Sequence, residues 1–448
     1  MGKGKAGRKK KRVERPPDTS KRKFVILGLG TLATSGAALA GYKSGWFGSP
    51  PAPQPTPLPT VAPTPSPLAT ATRAASSAFR PATYPADRQN AVRAADEMLT
   101  FFARDMRNPS ILIHAVRGIG KDFAMEDGTK AVDILCAGYA AEKEVNGKRY
   151  VYFPRSVEVH DNSFLKTFLE AGVSRDQPIR VAGNQYTLRD LGEHAKSLFR
   201  CDPQDLFRYD KDLIHEHLPW GLIAFSILVP PSQPSWTNAY GETINLPEVI
   251  DRSLAAYERT CTLAREPLEK NQNESDLFRK EIKEYSCFGM HSVYGYLACY
   301  QNGYRDNDLA ERLRQMLDLV TLRLKGDPEA IDREYAAELQ KNPASAQIVE
   351  VVRVRAQIKF LGHAFEAINY ALLHRFFTPT AEQKRRMQAG ERLLYENMVK
   401  MRGFDLEAIR RMHPRLEKEV SDVMIAVGHA ARAMKLLTPQ NPDLLAKK

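Results

Sequence analysis

Three histidines, each close to a glycine in a segment that is predicted to be helical, are the residues of this sequence best suited to chemistry. A glycine directly precedes His363 and His429, and His291 lies in the run CFGMH. An imidazole changes its protonation near neutral pH, so it can accept or donate a proton during a reaction. If the three segments line one cavity, these histidines are candidate catalytic residues. Glu366 could then act as a base or hold one imidazole in a single tautomer.

Helical spacing places other polar side chains on the faces that carry these histidines. Residues three, four or seven positions apart share a helix face, so Tyr294, Tyr370 and Arg432 are expected to point toward the same cavity. Together with Trp220 they are the candidate substrate-binding residues. Such a cavity would suit acid–base chemistry on a saccharide or a lipid-linked substrate, because aromatic rings and a few polar groups bind such ligands together.

The same histidines also have a purely structural interpretation. On tightly packed helices they can be core residues that hydrogen-bond to the backbone or to tyrosine, and a neighbouring glycine lets two helices approach closely. The protein would then be a non-catalytic scaffold or binding domain whose important surface is external. Replacing His291 by Ala separates the two hypotheses. Loss of ligand binding with little unfolding favours the first, and lower stability alone favours the second.

The sequence predicts no metal site. His215 and His217 flank Glu216, but residues two positions apart on a regular helix point about 200° apart and cannot bind the same ion. Cys287 and His291 could form a metal-binding pair or a thiolate–imidazole pair, yet no third ligand lies near them in the sequence. The sequence does not identify a cofactor.

Apolar periodicity predicts a predominantly helical domain over residues 80–440, with about a dozen helices joined in pairs by short loops. Residues 276–300 are expected to form one of these helices. Pro219 predicts a break or a first-turn position in its helix. The dipeptide Asn146-Gly147 is a strong hairpin signal. The expected fold class is therefore all-α, with a small β-hairpin excursion and no other sheet.

So many helix pairs favour an α/α toroid over a four-helix bundle. The segment CFGMH, at the head of an apolar run, resembles the inner-helix motif C-G-G-T-H of bacterial proteins in the terpenoid-cyclase and prenyltransferase-like α/α toroid class. This sequence has Phe288 and Met290 where the motif has glycine and threonine, and it lacks D-x-D-D and Q-x-x-x-G-x-W motifs. The resemblance implies an α/α toroid-like helical-hairpin domain, without a cyclase or prenyltransferase activity.

An apolar segment near the N-terminus predicts the compartment. Residues 24–42 carry no charge and follow a basic tail, residues 1–23. As a helix the segment would extend roughly 28 Å, close to the thickness of a bilayer core. It is either a single-pass membrane anchor with the tail in the cytoplasm, or an export signal cleaved near Ala40. The run SKRKFV resembles a bacterial twin-arginine export signal, with Lys21 where the first arginine belongs. Both alternatives place the folded domain outside the cytoplasm.

A proline-rich linker, residues 43–79, separates this segment from the helical domain, and residues 441–448 form a short tail. Nine prolines occur between positions 49 and 67. They favour extended polyproline II structure, because proline fixes φ and lacks an N–H. The stretch predicts a spacer on the order of 55 Å long that holds the domain away from a membrane.

The distribution of charge argues against nucleic-acid binding. The chain of 448 residues has a net charge of +12, but residues 1–23 hold eleven Lys/Arg and two Asp/Glu, which leaves +3 for the rest. The folded part is nearly neutral and lacks the basic composition of a nucleic-acid-binding domain. Five cysteines without a C-x-x-C motif exclude a disulfide-rich scaffold. The expected partners are a membrane, through the N-terminal helix, and a saccharide or lipid-linked ligand.

Overall fold

The computed structural model describes residues 79–273 and 275–442. These residues form fourteen α-helices and three two-stranded antiparallel hairpins. The helices are α1 (Arg88–Met106), α2 (Pro109–Gly118), α3 (Ala131–Gly138), α4 (Ser163–Glu170), α5 (Leu188–Leu198), α6 (Leu218–Leu228), α7 (Leu246–Glu269), α8 (Asp276–Ile282), α9 (Met290–Gln301), α10 (Leu309–Lys341), α11 (Ala346–Leu373), α12 (Ala381–Arg402), α13 (Leu406–Met412) and α14 (Pro414–Lys435). The strands are β1 (Ala141–Val145), β2 (Lys148–Tyr152), β3 (Pro178–Val181), β4 (Asn184–Thr187), β5 (Ser235–Thr237) and β6 (Thr243–Asn245). An all-α fold with a small β-hairpin excursion is confirmed.

Local capping signals set the starts of several helices. The Asp87 side chain accepts a hydrogen bond from the backbone N–H of Asn90 at the start of α1. Thr187 and Asp190 form a reciprocal capping box at the start of α5, which satisfies two N–H groups that the helix leaves unpaired. Pro219 lies in the first turn of α6, where its missing N–H breaks no helical hydrogen bond. The first-turn position predicted for this proline is confirmed.

Helix α11 is central to the domain. It packs against α9, α10, α12 and α14, and α14 packs in turn against α2. A Cβ added to Gly362 would lie 3.0 Å from the backbone nitrogen of Ala430, and one added to Gly428 would lie 2.7 Å from the Cβ of His114. Each glycine therefore allows its helix to approach a neighbour closely and places the following histidine at the crossing. A closed toroidal ring of such helices stays a prediction.

Residues 276–300 do not form the single helix expected from the sequence. Helices α8 and α9 are separated by a turn in which Cys287, Phe288 and Gly289 have φ values of 53°, 60° and 74°. Three successive residues in the left-handed region cannot continue a right-handed helix. The four-residue spacing of Cys287 and His291 would place both on one face of a continuous helix, but Cys287 lies before α9 and the two share no helix face.

The expectation of no sheet beyond the first hairpin was wrong. Strands β1 and β2 turn at Asn146-Gly147 as predicted, but β3–β4 and β5–β6 form two further hairpins. The β3–β4 turn uses Ala182 and Gly183 with φ of 49° and 87°. Alanine rarely adopts a positive φ, so the sequence carries only a weak signal for this turn.

The start of the described chain is fixed against α12 and α13. The backbone N–H of Phe79 donates to the carboxylate of Glu407 at 3.1 Å, and the Arg402 guanidinium donates to the carbonyl of Arg80 at 2.5 Å. The ring of Phe79 also packs against Phe101 with centroids 5.2 Å apart. The first residues of the domain are therefore part of its packed structure.

The predicted basic tail, apolar segment and nearly all of the proline-rich linker lie outside the described residues, as do positions 443–448. Within the part of the chain that the structure describes, no helix combines the length and the apolar character needed to cross a bilayer. The five cysteines all lie in this part, and none of them forms a disulfide with another described residue.

Candidate functional site

Four histidines from four helices converge at one point. His114 lies on α2, His291 on α9, His363 on α11 and His429 on α14. The ring centroid of His429 lies 3.8 Å from that of His363 and 5.0 Å from those of His114 and His291. The rings of His291 and His363 are 4.6 Å apart. The structure thus brings together the three histidines singled out in the sequence and adds His114 to them.

Hydrogen bonds at Nδ1 fix the tautomers of three of these rings. Nδ1 of His114 and Nδ1 of His363 each donate at 2.5 Å to the backbone carbonyl four residues earlier. Nδ1 of His429 donates to the carboxylate of Glu366 at 2.7 Å. A carbonyl or carboxylate oxygen only accepts, so the proton lies on Nδ1 and Nε2 carries a lone pair.

The three free Nε2 atoms lie in buried surroundings. Nε2 of His114 faces Nε2 of His429 at 3.2 Å. Nε2 of His363 finds no hydrogen-bond partner among the described residues, although the side chain is buried. An unpaired polar atom inside a protein costs free energy, so Nε2 of His363 calls for a functional explanation.

Glu366 holds the His429 ring in place and is itself held by two arginines. Nε of Arg117 donates to Glu366 at 3.0 Å, and Nη1 of Arg432 does so at 3.3 Å. Burial alone would raise the pKa of Glu366, but the charges of Arg117 and Arg432 outweigh burial and the pKa falls to about 2. An ionised Glu366 therefore orients the imidazole of His429.

A second buried carboxylate, Glu170, extends this network. It accepts from Nη1 of Arg117 at 2.7 Å and from Nζ of Lys166 at 3.0 Å. The hydroxyl of Tyr294 donates to Glu170 and accepts from Nη2 of Arg432 at 2.7 Å. Burial, reinforced by Arg117, lowers the pKa of Lys166 to about 7. The network ties α2, α4, α9, α11 and α14 together beneath the histidines.

Burial keeps all four imidazoles neutral at physiological pH. It lowers the pKa of His114 to about 4 and that of His363 to about 3. The pKa values of His291 and His429 fall well below the usual range, again mainly because of burial. Neutral rings with free Nε2 lone pairs can accept a hydrogen bond, accept a proton or bind a metal ion.

A cavity of about 1050 Å³ adjoins the cluster. His114, His291 and His429 line it, and so do His160 and Trp220, whose rings stack with centroids 3.9 Å apart. This volume is at the upper end of the range found for small-molecule sites. Three of the four clustered histidines are therefore within reach of a ligand.

The remaining residues singled out in the sequence take different positions. Trp220 lines the cavity. Tyr294 and Arg432 are buried in the ion network rather than in the cavity wall. Tyr370 packs against Tyr294 with centroids 5.0 Å apart. Glu366, like these three side chains, can influence a ligand only through the residues that it holds.

Within residues 79–273 and 275–442, two groups of three side chains bring potential metal ligands within 4.8 Å of one another. One group is His363, Glu366 and His429, in which the carboxylate is already engaged by two guanidinium groups and an imidazole. The other is Cys287, His291 and His363. His215 and His217, which were dismissed as metal ligands from their spacing, belong to neither group.

Four residues of the site were missed from the sequence: His114, Arg117, Lys166 and Glu170. Isoleucine rather than glycine directly precedes His114, and the close approach at this residue comes from Gly428 on α14. Lys166 and Glu170 are four residues apart on α4, a spacing that is also typical of a solvated helix face. Of these residues, only Arg117 could have been recognised as unusual, because it interrupts the otherwise apolar second half of α2.

No protein-family model, no curated protein and no solved structure matches this chain.

Proposed function

We propose that the domain binds a saccharide or a lipid-linked ligand in the histidine-lined cavity and processes it by acid–base chemistry. The single observation that carries this proposal is the pair formed by His429 and Glu366. Nδ1 of His429 donates to the carboxylate at 2.7 Å, which leaves Nε2 as an acceptor at the cavity wall. A base whose ring is oriented by a third group is a recurring arrangement in enzymes that remove a proton from a hydroxyl.

In the proposed step, a hydroxyl group of the ligand gives its proton to Nε2 of His429. The neutral ring is in the form that can accept this proton, and the carboxylate of Glu366 would stabilise the imidazolium that results. Arg117 and Arg432 keep that carboxylate ionised and fixed. His114 offers a second acceptor 3.2 Å from the first, so it can hold a neighbouring hydroxyl of the same ligand.

Lysines in the cavity lining favour a ligand that carries a negative group. Seven basic and four acidic residues line the cavity within the described part of the chain, but Arg117, Lys166 and Arg355 are already paired with carboxylates outside the lining, so the positive charge offered to a ligand comes from lysines such as Lys359. The basic residues are Arg117, Lys166, Lys211, Lys283, Arg355, Lys359 and Lys418, and the acidic residues are Asp212, Glu216, Glu284 and Asp422. A phosphorylated saccharide or a lipid-linked saccharide phosphate combines this charge with the hydroxyls that neutral imidazoles can bind.

The experiment is a thermal-shift and calorimetric screen of the full chain with hexose phosphates, an unphosphorylated hexose and a short polyprenyl phosphate. A ligand at about 100 times its Kd stabilises the folded state by about 2.7 kcal/mol, so binding raises the Tm. We expect His429→Gln and Lys359→Ala to weaken binding at least about tenfold. His374→Gln is the matched control, since His374 lies at the end of α11 and does not line the cavity. If no probe binds, or if both variants bind as tightly as the wild type, the proposal is wrong.

We further propose that residues 24–42 export the domain or anchor it in a membrane, with the folded part outside the cytoplasm. The support is the uncharged segment behind a basic tail and ahead of the proline-rich linker. Mass spectrometry of the mature N-terminus distinguishes an intact anchor from cleavage near Ala40. Protection of the domain from protease added to intact spheroplasts would contradict export.

A further inference from the structure

The side chains of Cys287, His291 and His363 meet although they come from three separate elements, and the first two of them line the cavity. Cys287 lies in the turn before α9, His291 lies in the first turn of α9 and His363 lies on α11. Their potential ligand atoms are all within 4.8 Å of one another. A tetrahedral ion at a Zn–N distance of about 2.0 Å and a Zn–S distance of about 2.3 Å separates one sulfur and two nitrogen ligands by about 3.3–3.5 Å. Small side-chain rotations are therefore enough to close the set around an ion.

His363 is arranged like a metal-ligating histidine. Its Nδ1 donates to the carbonyl oxygen of Lys359 at 2.5 Å, which fixes the ring orientation and leaves Nε2 as the coordinating atom. The side chain is 1% exposed, and Nε2 has no hydrogen-bond partner in the described part of the chain. A backbone carbonyl bound to the other ring nitrogen is the usual support of an imidazole that binds a metal ion.

The backbone around Cys287 is held in an unfavourable conformation. Cys287 and Phe288 have φ values of 53° and 60°, in the left-handed region that side chains disfavour. The carbonyl of Phe288 accepts a hydrogen bond from Arg323 at 3.1 Å. The ring of Phe288 packs against the ring of Phe360, with centroids 5.4 Å apart. Such strain persists only where the surrounding structure fixes it, and it is concentrated at functional sites. Here the strained backbone keeps Cys287 at the cavity wall and outside helix α9.

We propose that Cys287, His291 and His363 bind one late first-row transition-metal ion of the zinc class, with a fourth coordination position that faces the cavity. One thiolate and two imidazoles are ligands that this class of ion prefers to carboxylate-rich sets. Three protein ligands with one open position are typical of catalytic rather than structural zinc sites. On binding, the thiol of Cys287 loses its proton to solvent and a metal–sulfur bond forms.

This inference rests on the proposed function for its purpose, because the ion would lie beside the proposed base in the same cavity. The ring of His429 is 3.8 Å from that of His363 and 5.0 Å from that of His291. A ligand oxygen or a water molecule at the open coordination position would be polarised by the ion, and His429 could accept its proton. The occupancy of the site is nevertheless measured without any ligand.

The test uses the full chain after removal of metals with a chelator. Zn²⁺ is titrated by calorimetry, and Co²⁺ is titrated by absorption, because a cobalt–thiolate bond gives a near-ultraviolet charge-transfer band. We expect one equivalent of either ion and a clear thiolate band. Cys287→Ala should remove the band and weaken Zn²⁺ binding at least about 100-fold. Cys261→Ala is the matched control, a partly exposed cysteine on α7 that belongs to neither group, and it should bind like the wild type.

Three results would overturn the metal site: no Zn²⁺ binding by the wild type, a cobalt spectrum without a thiolate band, or unchanged affinity in Cys287→Ala. His363→Gln, checked by circular dichroism, gives a second variant in case Cys287→Ala does not fold. The two proposals fail separately. Zn²⁺ binding without binding of any saccharide or polyprenyl probe removes only the proposed function. Probe binding by a protein that takes up no Zn²⁺ removes only the metal site.

Discussion

Nε2 of His114 lies 3.2 Å from Nε2 of His429, and both nitrogens are hydrogen-bond acceptors. Each ring has its proton on Nδ1, where His114 donates to a backbone carbonyl and His429 donates to Glu366. Two acceptor lone pairs at this distance do not stabilise each other. The two nitrogens are therefore placed to bind a proton or a ligand hydroxyl, and their contact does not stabilise the packing of α2 against α14.

His114→Phe tests this interpretation. Phenylalanine keeps a ring at the α2–α14 crossing and removes one of the two facing acceptors. We expect the free energy of unfolding to stay within about 1 kcal/mol of the wild type, because the lost bond to the Ser110 carbonyl is offset by the removed repulsion. Urea denaturation followed by circular dichroism measures this difference. A loss of more than about 3 kcal/mol would mean that His114 is a structural residue.

Glu366→Ala should be far more damaging. The substitution removes one carboxylate partner of Arg117 and of Arg432 in a buried network. It also removes the group that accepts the hydrogen bond from Nδ1 of His429. Breaking a buried ion pair on one side costs about 3–5 kcal/mol. Glu382→Ala is the matched control, because Glu382 forms exposed ion pairs on α12. That control should change stability by less than about 0.5 kcal/mol in the same urea titration.

Gly428→Ala should separate α14 from α2. The added Cβ would lie 2.7 Å from the Cβ of His114 and 2.9 Å from its carbonyl oxygen. Overpacking of this kind costs about 1–3 kcal/mol, and calorimetry should show a lower Tm. Gly138→Ala is the control, a helical glycine of α3 with no atom within 4 Å of the added Cβ. It should be neutral or stabilise the protein by up to about 1 kcal/mol. Equal effects of the two variants would contradict a role of Gly428 in close packing.

Glu158 gives a prediction about pH. Its carboxylate accepts from the backbone N–H groups of Asn162 and Phe164 at 3.1 and 2.9 Å, and burial raises its pKa to about 8. Because the folded pKa lies above the ordinary value of 4.5, the unfolded chain loses this proton first. The free energy of unfolding should therefore fall as pH rises from about 4.5 to about 8, by up to about 1.4 kcal/mol per pH unit.

Glu158→Gln cannot ionise, so this contribution to the pH dependence should disappear. The measurement is the difference in unfolding free energy between variant and wild type at about pH 5 and about pH 8. The variant should gain stability relative to the wild type as pH rises. A difference that does not depend on pH would contradict a raised pKa at Glu158.

Much of the helical architecture could be predicted because its signals are local. Apolar periodicity, the capping residues and Pro219 lie within the elements that they define. The break in residues 276–300 could not be predicted in the same way. The run from Tyr285 to Tyr300 is apolar throughout, and its helix is stopped by the left-handed backbone at Cys287 and Phe288, which contacts with Arg323 and Phe360 support. Those partners lie on α10 and α11, far away in sequence.

The convergence of the candidate site was predicted in part. His363 and His429 meet because Gly362 allows α11 to pack closely against Ala430 on α14, and Gly428 in the same way brings α14 close to His114. The Cys287 and His291 pair was set aside for lack of a third ligand, which His363 supplies from 72 residues farther along the chain. Buried charges such as Glu170 could not be recognised either, since the partners that make their burial tolerable come from other helices.

The buried ion network around Glu366 makes the helices that it joins stiffer than the rest of the domain. Arg117, Glu170 and Glu366 join three helices through buried, mutually dependent hydrogen bonds, so these helices resist displacement relative to one another. The cavity lining also includes residues of the π-helical segment Leu213–His217 and of the connection Lys283–Ser286, in which Lys283 and Glu284 are exposed. Under the proposed function, ligands of different length can therefore be accommodated at these exposed positions without disturbing the histidines that the ion network holds.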